Sequence, residues 1–337
     1  MKKHVNIPIF IPHYGCPNAC VFCNQKKITG KPCYDKDSIT AEIDTALKTL
    51  DHKKTEIELA FFGGSFTAIP KEDMLGLLAI SDVYLKSGKI KSVRLSTRPD
   101  AIDPQILGIL KEHGVKTIEL GLQSFAPHVL DASKRGHSAL QSENACKLIK
   151  EYGFELIGQM MVGLPDSILS DELYTAKEIC KLGCNGARVY PTVVFPETEL
   201  KRMQDSGSYV PLTTDEAVLR TAEVLRVFIK HGVPVIRIGL CANETLNSQS
   251  YADSYHPSVG ELALGQVYLT EMKAFLEGSA ELCGKTAIFR VARGKISQAI
   301  GQKKHNVNTL LELFPLKDVK IKEDDELRAF QLLLDIN

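Results

Sequence analysis

Cys16, Cys20 and Cys23 stand within eight residues of one another in the stretch CPNACVFC, directly after an apolar run from Val5 to Ile11. Three thiols this close in sequence make a metal-binding loop. Two chemistries fit the spacing. A [4Fe–4S] cube has four irons, so a loop offering three cysteines leaves one iron for a ligand that is not protein, and an open iron is a place where a reaction can occur. A zinc knuckle would instead close its shell, with His13, three residues before Cys16, or Cys33, ten residues after Cys23, as the fourth ligand.

Such a loop acts only if a scaffold positions it. Short apolar or β-branched runs alternate with longer amphipathic ones as far as about residue 240, the βαβα rhythm of a parallel sheet or barrel. Strands are predicted near Val5 to Ile11, Glu56 to Phe62, Val93 to Ser96, Lys116 to Leu120, Glu155 to Met161, Ala187 to Tyr190 and Val233 to Ile238. Between them, helices are predicted at Thr40 to Leu50, at Ala139 to Tyr152 with Leu140, Cys146 and Ile149 on one face, and at Asp215 to Lys230 with Thr214 and Asp215 as caps. Glycine, proline or small polar residues follow each strand, at the edge where parallel sheets and barrels gather their ligands. The fold class read from this pattern is α/β, a partial TIM-like (β/α)6 barrel.

A stretch with Asn243, Asn247, Ser248, Ser250, Asp253, Ser254, His256 and Pro257 interrupts the rhythm from about 242 to 258. It divides the chain into a barrel over 1–242 and a small α+β domain over 243–337. The second part is predicted to run helix (Gly260 to Leu276), strand (Thr286 to Ala292), two short helices (Ile296 to Ile300 and Asn306 to Phe314) and strand (Val319 to Lys322). The terminal LRAFQLLLDIN fits helix and strand equally.

Composition narrows the class. The 337 residues are 44% apolar and 24% charged, with 41 Lys+Arg against 41 Asp+Glu, which describes a folded chain with roughly two domains and no net field. Any polyanion partner must therefore meet a local basic patch. The opening MKKHVNIPIFIP is too short and too interrupted by Pro8 and Pro12 for a signal sequence, and no apolar run approaches the ~18 residues of a membrane span. A cytoplasmic, membrane-free protein is expected. Its nine cysteines are then thiols or metal ligands rather than a disulfide framework. Cys180-x3-Cys184 reads as ordinary burial at a helix end.

The CxxxCxxC spacing of Cys16, Cys20 and Cys23 resembles the radical S-adenosylmethionine (radical SAM) superfamily. Gly63-Gly64-Ser65-Phe66-Thr67 after the second strand strengthens the likeness, as do Arg94-Leu-Ser-Thr-Arg-Pro-Asp100, Glu119-Leu-Gly-Leu-Gln-Ser124, Lys134-Arg-Gly-His137, Gln159-Met-Met-Val-Gly-Leu-Pro165 and Arg188-Val-Tyr-Pro-Thr192. Their order is similar to the radical SAM half of the Elongator catalytic subunit, a family that modifies the tRNA wobble uridine. The likeness runs over roughly residues 5 to 235, and Tyr190 to Leu200 with Gly207-Ser-Tyr209 set it closer to that family than to oxygen-independent coproporphyrinogen oxidase.

The resemblance implies a [4Fe–4S] cluster on Cys16, Cys20 and Cys23, and S-adenosylmethionine (SAM) at Gly63, Gly64, Ser65, Thr67, Ser96, Gln123, Arg135 and Gln159. It also implies a low-potential electron donor such as a flavodoxin or ferredoxin. Arg135 suits a carboxylate, because a guanidinium binds one bidentately, although a surface arginine would read the same way. Phe22 either packs the cysteine loop or shields an adenine. Arg98 reads as a SAM-side residue or a barrel-top ion pair, and His137 as a loop residue. The chain ends soon after the barrel, so the acetyl transfer of the Elongator-type enzyme is not expected. Its cysteine spacing is also shorter than in that family, and Arg237-Ile-Gly-Leu-Cys241 is less basic than the corresponding stretch.

From Gly284 to His305 there are six Lys or Arg (Lys285, Arg290, Arg293, Lys295, Lys303, Lys304) and no Asp or Glu, a segment that would attract phosphate. The predicted order strand, helix, loop, helix, strand resembles a KH module, with Gly301-Gln-Lys-Lys304 in place of the GxxG loop that clamps nucleic-acid backbone. A degenerate KH-like element binding tRNA through 285–305 is the expectation; a solvated basic face is the alternative. Three function classes follow: a radical SAM enzyme acting on RNA, one acting on a small molecule such as a porphyrinogen, or a non-enzymatic zinc or iron–sulfur RNA-binding protein.

Overall fold

A computed structural model describes residues 3–16, 20–25, 35, 38–51, 53–240 and 255–337. Seven strands form one sheet in the sequential order β1 (Lys3–Ile11), β2 (Thr55–Gly63), β3 (Ser92–Thr97), β4 (Val115–Gln123), β5 (Glu155–Val162), β6 (Gly186–Pro191) and β7 (Val235–Ile238). Every neighbouring pair is parallel. Helical crossovers of one hand roll such a sheet continuously in one sense, and because β1 and β7 are its two free edges the barrel is open. The seven anticipated strands are all present, so the partial barrel has one strand more than the (β/α)6 label implies.

Side chains alternate across each strand, and the two faces differ in chemistry. Ile7, Ile9 and Ile11 of β1, Ile57, Leu59 and Phe61 of β2 and Ile118, Leu120 and Leu122 of β4 are buried in the main core. That core is completed by helices α1 (Ile39–Lys48), α2 (Lys71–Lys86), α3 (Pro104–Glu112), α5 (Ala139–Glu151), α6 (Leu169–Lys181) and α8 (Thr214–Lys230), while α4 (Pro127–Ala132) and α7 (Glu199–Asp205) bury Val129 and Leu200 in smaller apolar clusters. The intervening positions, among them Glu58, Arg94, Glu119, Gln159 and Arg188, line the inside.

The helices follow local rules with two departures from expectation. In α5 the buried stripe is Ser142, Ala145, Cys146 and Ile149, an i, i+3, i+4, i+7 pattern, while Leu140 lies off it and is 64% exposed. At the start of α8 the cap is Thr213, whose hydroxyl accepts the Glu216 N–H at 3.3 Å while the Glu216 carboxylate accepts the Thr213 N–H at 2.9 Å, a reciprocal capping box.

Beyond the barrel, α9 (Val259–Glu277) packs Ala263 and Val267 against Ala222 and Leu225 of α8. Its second half, with Tyr268, Leu269, Met272 and Leu276, enters a separate core under a three-stranded sheet. That sheet has the order β10 (Leu332–Ile336), β8 (Thr286–Ala292), β9 (Asp318–Asp324), with β9 parallel and β10 antiparallel to β8. Between β8 and β9 run α10 (Ile296–Ile300) and α11 (His305–Leu313). The ambiguous terminal stretch is thus a strand. Most of the stretch assigned to the domain boundary, with Cys241, lies outside the described residues. No described helix is long and apolar enough to cross a membrane.

Candidate functional site

The cysteine loop leaves β1 at the C-terminal edge of the sheet and is stitched to the loops beyond β4 and β6. The Val21 N–H donates to the Ser133 carbonyl (3.3 Å), the Leu200 N–H to the Val21 carbonyl (2.8 Å) and the Asn24 side-chain amide to the Pro196 carbonyl (3.2 Å). Cys16, Cys20 and Cys23 are half-buried free thiols. Burial pushes the Cys23 thiol up to about 12, and the negative charge of neighbouring Cys20 and Cys16 adds to this, while Arg135 and the Gln25 backbone act the other way. The three sulfurs are therefore electrostatic neighbours, and cations seated among them would reverse the penalty.

Among the described residues no three His, Cys, Asp or Glu side chains gather around a single metal ion. A cube asks for less, since each thiolate binds its own iron. His13, the candidate fourth zinc ligand, is engaged elsewhere: its Nε2 accepts the Gln25 N–H at 3.0 Å, and its own N–H donates to the Gln25 side chain. It clamps the two ends of the loop together. Cys33 lies outside the described residues. Phe22 packs between two apolar clusters, one with Val21, Val194 and Tyr209, the other with Ala126, Leu164 and Met161.

The Gly63-Gly64-Ser65 turn does something different from what its sequence suggests. The Gly64 N–H donates to the Ile11 carbonyl (2.9 Å) and the Ser65 N–H to the Tyr14 carbonyl (2.8 Å), so both amides are spent on the chain leading into the cysteine loop. A Cβ on Gly64 would lie 1.9 Å from the Tyr14 carbonyl oxygen, and Gly63 has φ +96°. The glycines let two backbones cross in contact. Ser65, fully buried, sets its hydroxyl 3.5 Å from Cys16 Sγ. The Thr67 hydroxyl is committed to Thr97 Oγ1 and the Ala101 carbonyl, both at 2.6 Å, which tie β2 to β3.

Gln123, Arg135 and Gln159 hold the capacity left for a ligand. Gln123 sits at φ +64° where the β4–β5 register slips, and its buried Oε1 has no partner among the described residues. Arg135, 6% exposed, donates from one terminal nitrogen to Cys20 Sγ (3.0 Å) and from the other to the Gly121 carbonyl (2.7 Å), while its buried Nε is unpartnered. It is no surface arginine. Arg98 holds it in place by donating to the Arg135 carbonyl (2.6 Å) while paired bidentately with Asp100. His137 is buried beside them. Burial, then the charges of Arg135 and Arg98, lower its pKa to about 3, so its imidazole stays neutral. Gln159 and Ser96 are half-buried on the inner face, and Gln159 is in register with Gly121.

Below these groups an alternating row of charges that motif reading left without a role closes the interior. The Arg94 Nε donates to Glu58 (2.7 Å) and its NH1 to Glu119 (2.8 Å), and Glu119 in turn pairs with Arg188 (2.7 Å). Glu58 and Glu119 are 2% exposed. Charged residues alternating with leucine, as in Arg94-Leu-Ser and Glu119-Leu-Gly, were the available signal. Gly163 of the Gly-Leu-Pro motif is gripped rather than open: its N–H donates to Glu172 (2.6 Å), and its carbonyl accepts the Tyr209 hydroxyl (2.7 Å).

These residues fit a cluster and its SAM: three neighbouring thiols, a buried guanidinium touching one of them, and an orphaned buried amide oxygen beside it. Comparison with known proteins agrees. Human Elongator complex protein 3 is 25% identical over 259 residues, 64% of this chain and 47% of that protein. The tRNA uridine(34) acetyltransferase of Methanocaldococcus infernus is 29% identical over 192 residues, 51% of this chain and 36% of that one. The chain thus spans less than half of these two relatives. The structure of archaeal Methanocaldococcus infernus Elp3 lacking its N-terminus superimposes with a TM-score of 0.59 at 19% identity, over 81% of this chain and 64% of that one, a likeness of fold. Residues 184–268 match the Radical_SAM C-terminal domain, and residues 10–179, from the last strand positions before the cysteine loop to the end of α6, match the Radical SAM superfamily, to which this chain belongs.

Proposed function

We propose that this radical SAM enzyme acts on RNA, and specifically on tRNA. When bound, the reduced cluster and SAM supply a 5′-deoxyadenosyl radical that abstracts hydrogen from the substrate; the chain contributes placement and exclusion of water. Cys16, Cys20 and Cys23 would hold the cluster. Arg135, fixed by Arg98, would meet the SAM carboxylate, and Gln123 and Gln159 its remaining polar groups.

The observation that carries the RNA reading is the loop between α10 and α11. Gly301 at φ +76° and two successive left-handed residues, Lys303 (φ +52°) and Lys304 (φ +60°), turn the chain into α11 with both lysines exposed. Lys304 occupies, in a glycine-like conformation, the place of the second glycine of GxxG. The basic segment is weaker than its composition suggests. Arg290 is neutralised by Asp324 (3.1 Å) and Asp335 (3.2 Å), and Arg293 lies 3.7 Å from Asp325. Among the described residues Lys285, Lys295, Lys303 and Lys304 pair with no carboxylate, which focuses the charge on the loop. Similarity to Elongator complex protein 3 and to a tRNA uridine(34) acetyltransferase supports the same reading.

The test is release of 5′-deoxyadenosine from SAM by anaerobically reconstituted, dithionite-reduced protein with and without total tRNA, and with Cys20→Ala as control. Cys20-dependent release that rises with tRNA is expected. Release indifferent to tRNA would return the substrate to the small-molecule class.

A further inference from the structure

We propose that Arg237, with Arg188 beside it, forms an oxyanion subsite inside the barrel that takes a phosphate of the nucleotide undergoing reaction; this rests on the RNA reading above. Strand register places the two arginines. Gly121 pairs with Gln159, Gln159 with Arg188, and Arg188 with Arg237, so the four form one row across β4 to β7. Arg188 faces inward, since it reaches Glu119 and lies 5.4 Å over the Phe62 ring. The register shifts just before this pair, with Ile236 as the extra residue of β7, and the face of Arg237 follows from its charge acting on Tyr190, whose hydroxyl accepts from Arg188 NH1 at 3.4 Å: Arg237 lines the same interior. The row starts at the carbonyl that Arg135 holds and ends two strand spacings past Gln159, about 10 Å away.

The charges along this face do not balance. Glu58 and Glu119 are shared by Arg94 and Arg188, with His4 at the rim 3.3 Å from Glu58, and Glu155 pairs with Lys116 at 3.3 Å. Among the described residues the guanidinium of Arg237 has a single partner, the Gly239 carbonyl, which accepts from Nε at 3.0 Å. Both of its terminal nitrogens are left to donate, on a half-buried side chain that pairs with no carboxylate among the described residues. A planar fork of this kind matches a phosphate. Flat surfaces lie one strand away, at its in-register neighbour: the guanidinium of Arg188 stands over Phe62, which has Phe10 at 6.4 Å and tilted 43°. Bases drawn out of an RNA stack are received on such aromatic and guanidinium planes. An aromatic platform under Arg188, one strand from the uncompensated Arg237, suits a nucleotide better than a nucleoside.

Equilibrium dialysis of the cluster-reconstituted full chain with SAM, using uridine 5′-monophosphate and uridine as probes, tests this. The wild type is expected to bind the monophosphate at least tenfold more tightly. Arg237→Gln should bring the two within about twofold of each other, and Arg237→Lys should retain part of the preference. A wild type without preference, or an Arg237→Gln protein that keeps it, overturns the subsite. The wild-type comparison needs no variant to fold. Stimulation of SAM cleavage by tRNA decides the RNA reading separately: a monophosphate preference without tRNA stimulation removes RNA and leaves the anion site. Displacement of the monophosphate by a porphyrinogen polycarboxylate, lost equally in Arg237→Gln, would overturn the nucleotide assignment.

Discussion

The guanidinium of Arg135 donates to Cys20 Sγ at 3.0 Å while its other terminal nitrogen holds the Gly121 carbonyl, so the residue proposed to meet SAM also touches the cysteine loop. A positive charge and an N–H on a ligating sulfur stabilise the reduced cluster. Replacing Arg135 with Gln should lower the cluster midpoint potential by about 2 kcal/mol of electrostatic stabilisation, on the order of 100 mV for one electron. Arg135→Lys should recover part of it. Electron paramagnetic resonance during a redox titration would read the shift, and an unchanged potential would confine Arg135 to the SAM carboxylate.

Gly64→Ala should cost the protein its cluster, because the new methyl would overlap the Tyr14 carbonyl and displace the chain leading to Cys16. Iron and sulfide analysis after anaerobic reconstitution should find far fewer irons per chain than in the wild type. Gly108→Ala is the matched control. It lies in α3 with nothing within 4 Å of the added carbon and should raise stability by up to ~1 kcal/mol.

Glu119 holds Arg94 and Arg188 together inside the barrel. Glu119→Gln would leave Arg94 with Glu58 alone and Arg188 without a carboxylate among the described residues, and breaking a buried pair costs about 3–5 kcal/mol. Urea unfolding should show this loss. A change below 1 kcal/mol would mean that water reaches the floor. The exposed pair Lys201 and Asp205 should contribute almost nothing by comparison.

His137 links stability to pH. Its folded pKa, near 3, lies below the ordinary value of about 6.5, so the unfolded chain binds more protons between those limits. Above about pH 6.5 the group contributes nothing to the dependence; as pH falls below that, stability declines by up to ~1.4 kcal/mol per unit. Chemical unfolding at pH 5, 6 and 7 should show a slope that flattens in His137→Asn. An identical slope in the variant would assign it to other groups.

Lys303→Glu/Lys304→Glu should weaken tRNA binding by more than tenfold and reduce the salt slope by about 1.5 to 2, the share of two phosphate contacts. Lys304→Gly separates charge from conformation: it should relieve a left-handed backbone worth ~1 kcal/mol and still weaken binding. Filter binding across a salt series would measure both. An unchanged affinity and slope would remove the loop from RNA recognition.

All seven barrel strands were legible because each carries a β-branched or apolar run toward the helices, and the cysteine spacing pointed to the superfamily that the chain belongs to. Other features depend on partners distant in sequence. Gly63-Gly64 gives no sign in sequence of the backbone crossing it makes until Tyr14 is seen passing against it. Thr67 looks available until Thr97 and Ala101 claim its hydroxyl. The segment from 284 to 305 reads as uniformly basic because the aspartates that neutralise Arg290 and Arg293 arrive on β9, β10 and the turn between them. Leu140 has the right character for a core and the wrong angle on its helix.

Asn306, at the start of α11, donates to the Gly265 carbonyl of α9 at 2.8 Å, within the stretch of that helix whose Ala263 and Val267 pack on the barrel helix α8. The lysine loop and the barrel are thus bolted to the same two turns of helix rather than strung on a tether. Anything gripped by that loop reaches the barrel at a set distance and angle, without the random search of a flexible linker. On the proposed RNA reading, the molecule would select among substrates by measuring them, accepting those whose grip point and reacting group are separated by the span of its own frame.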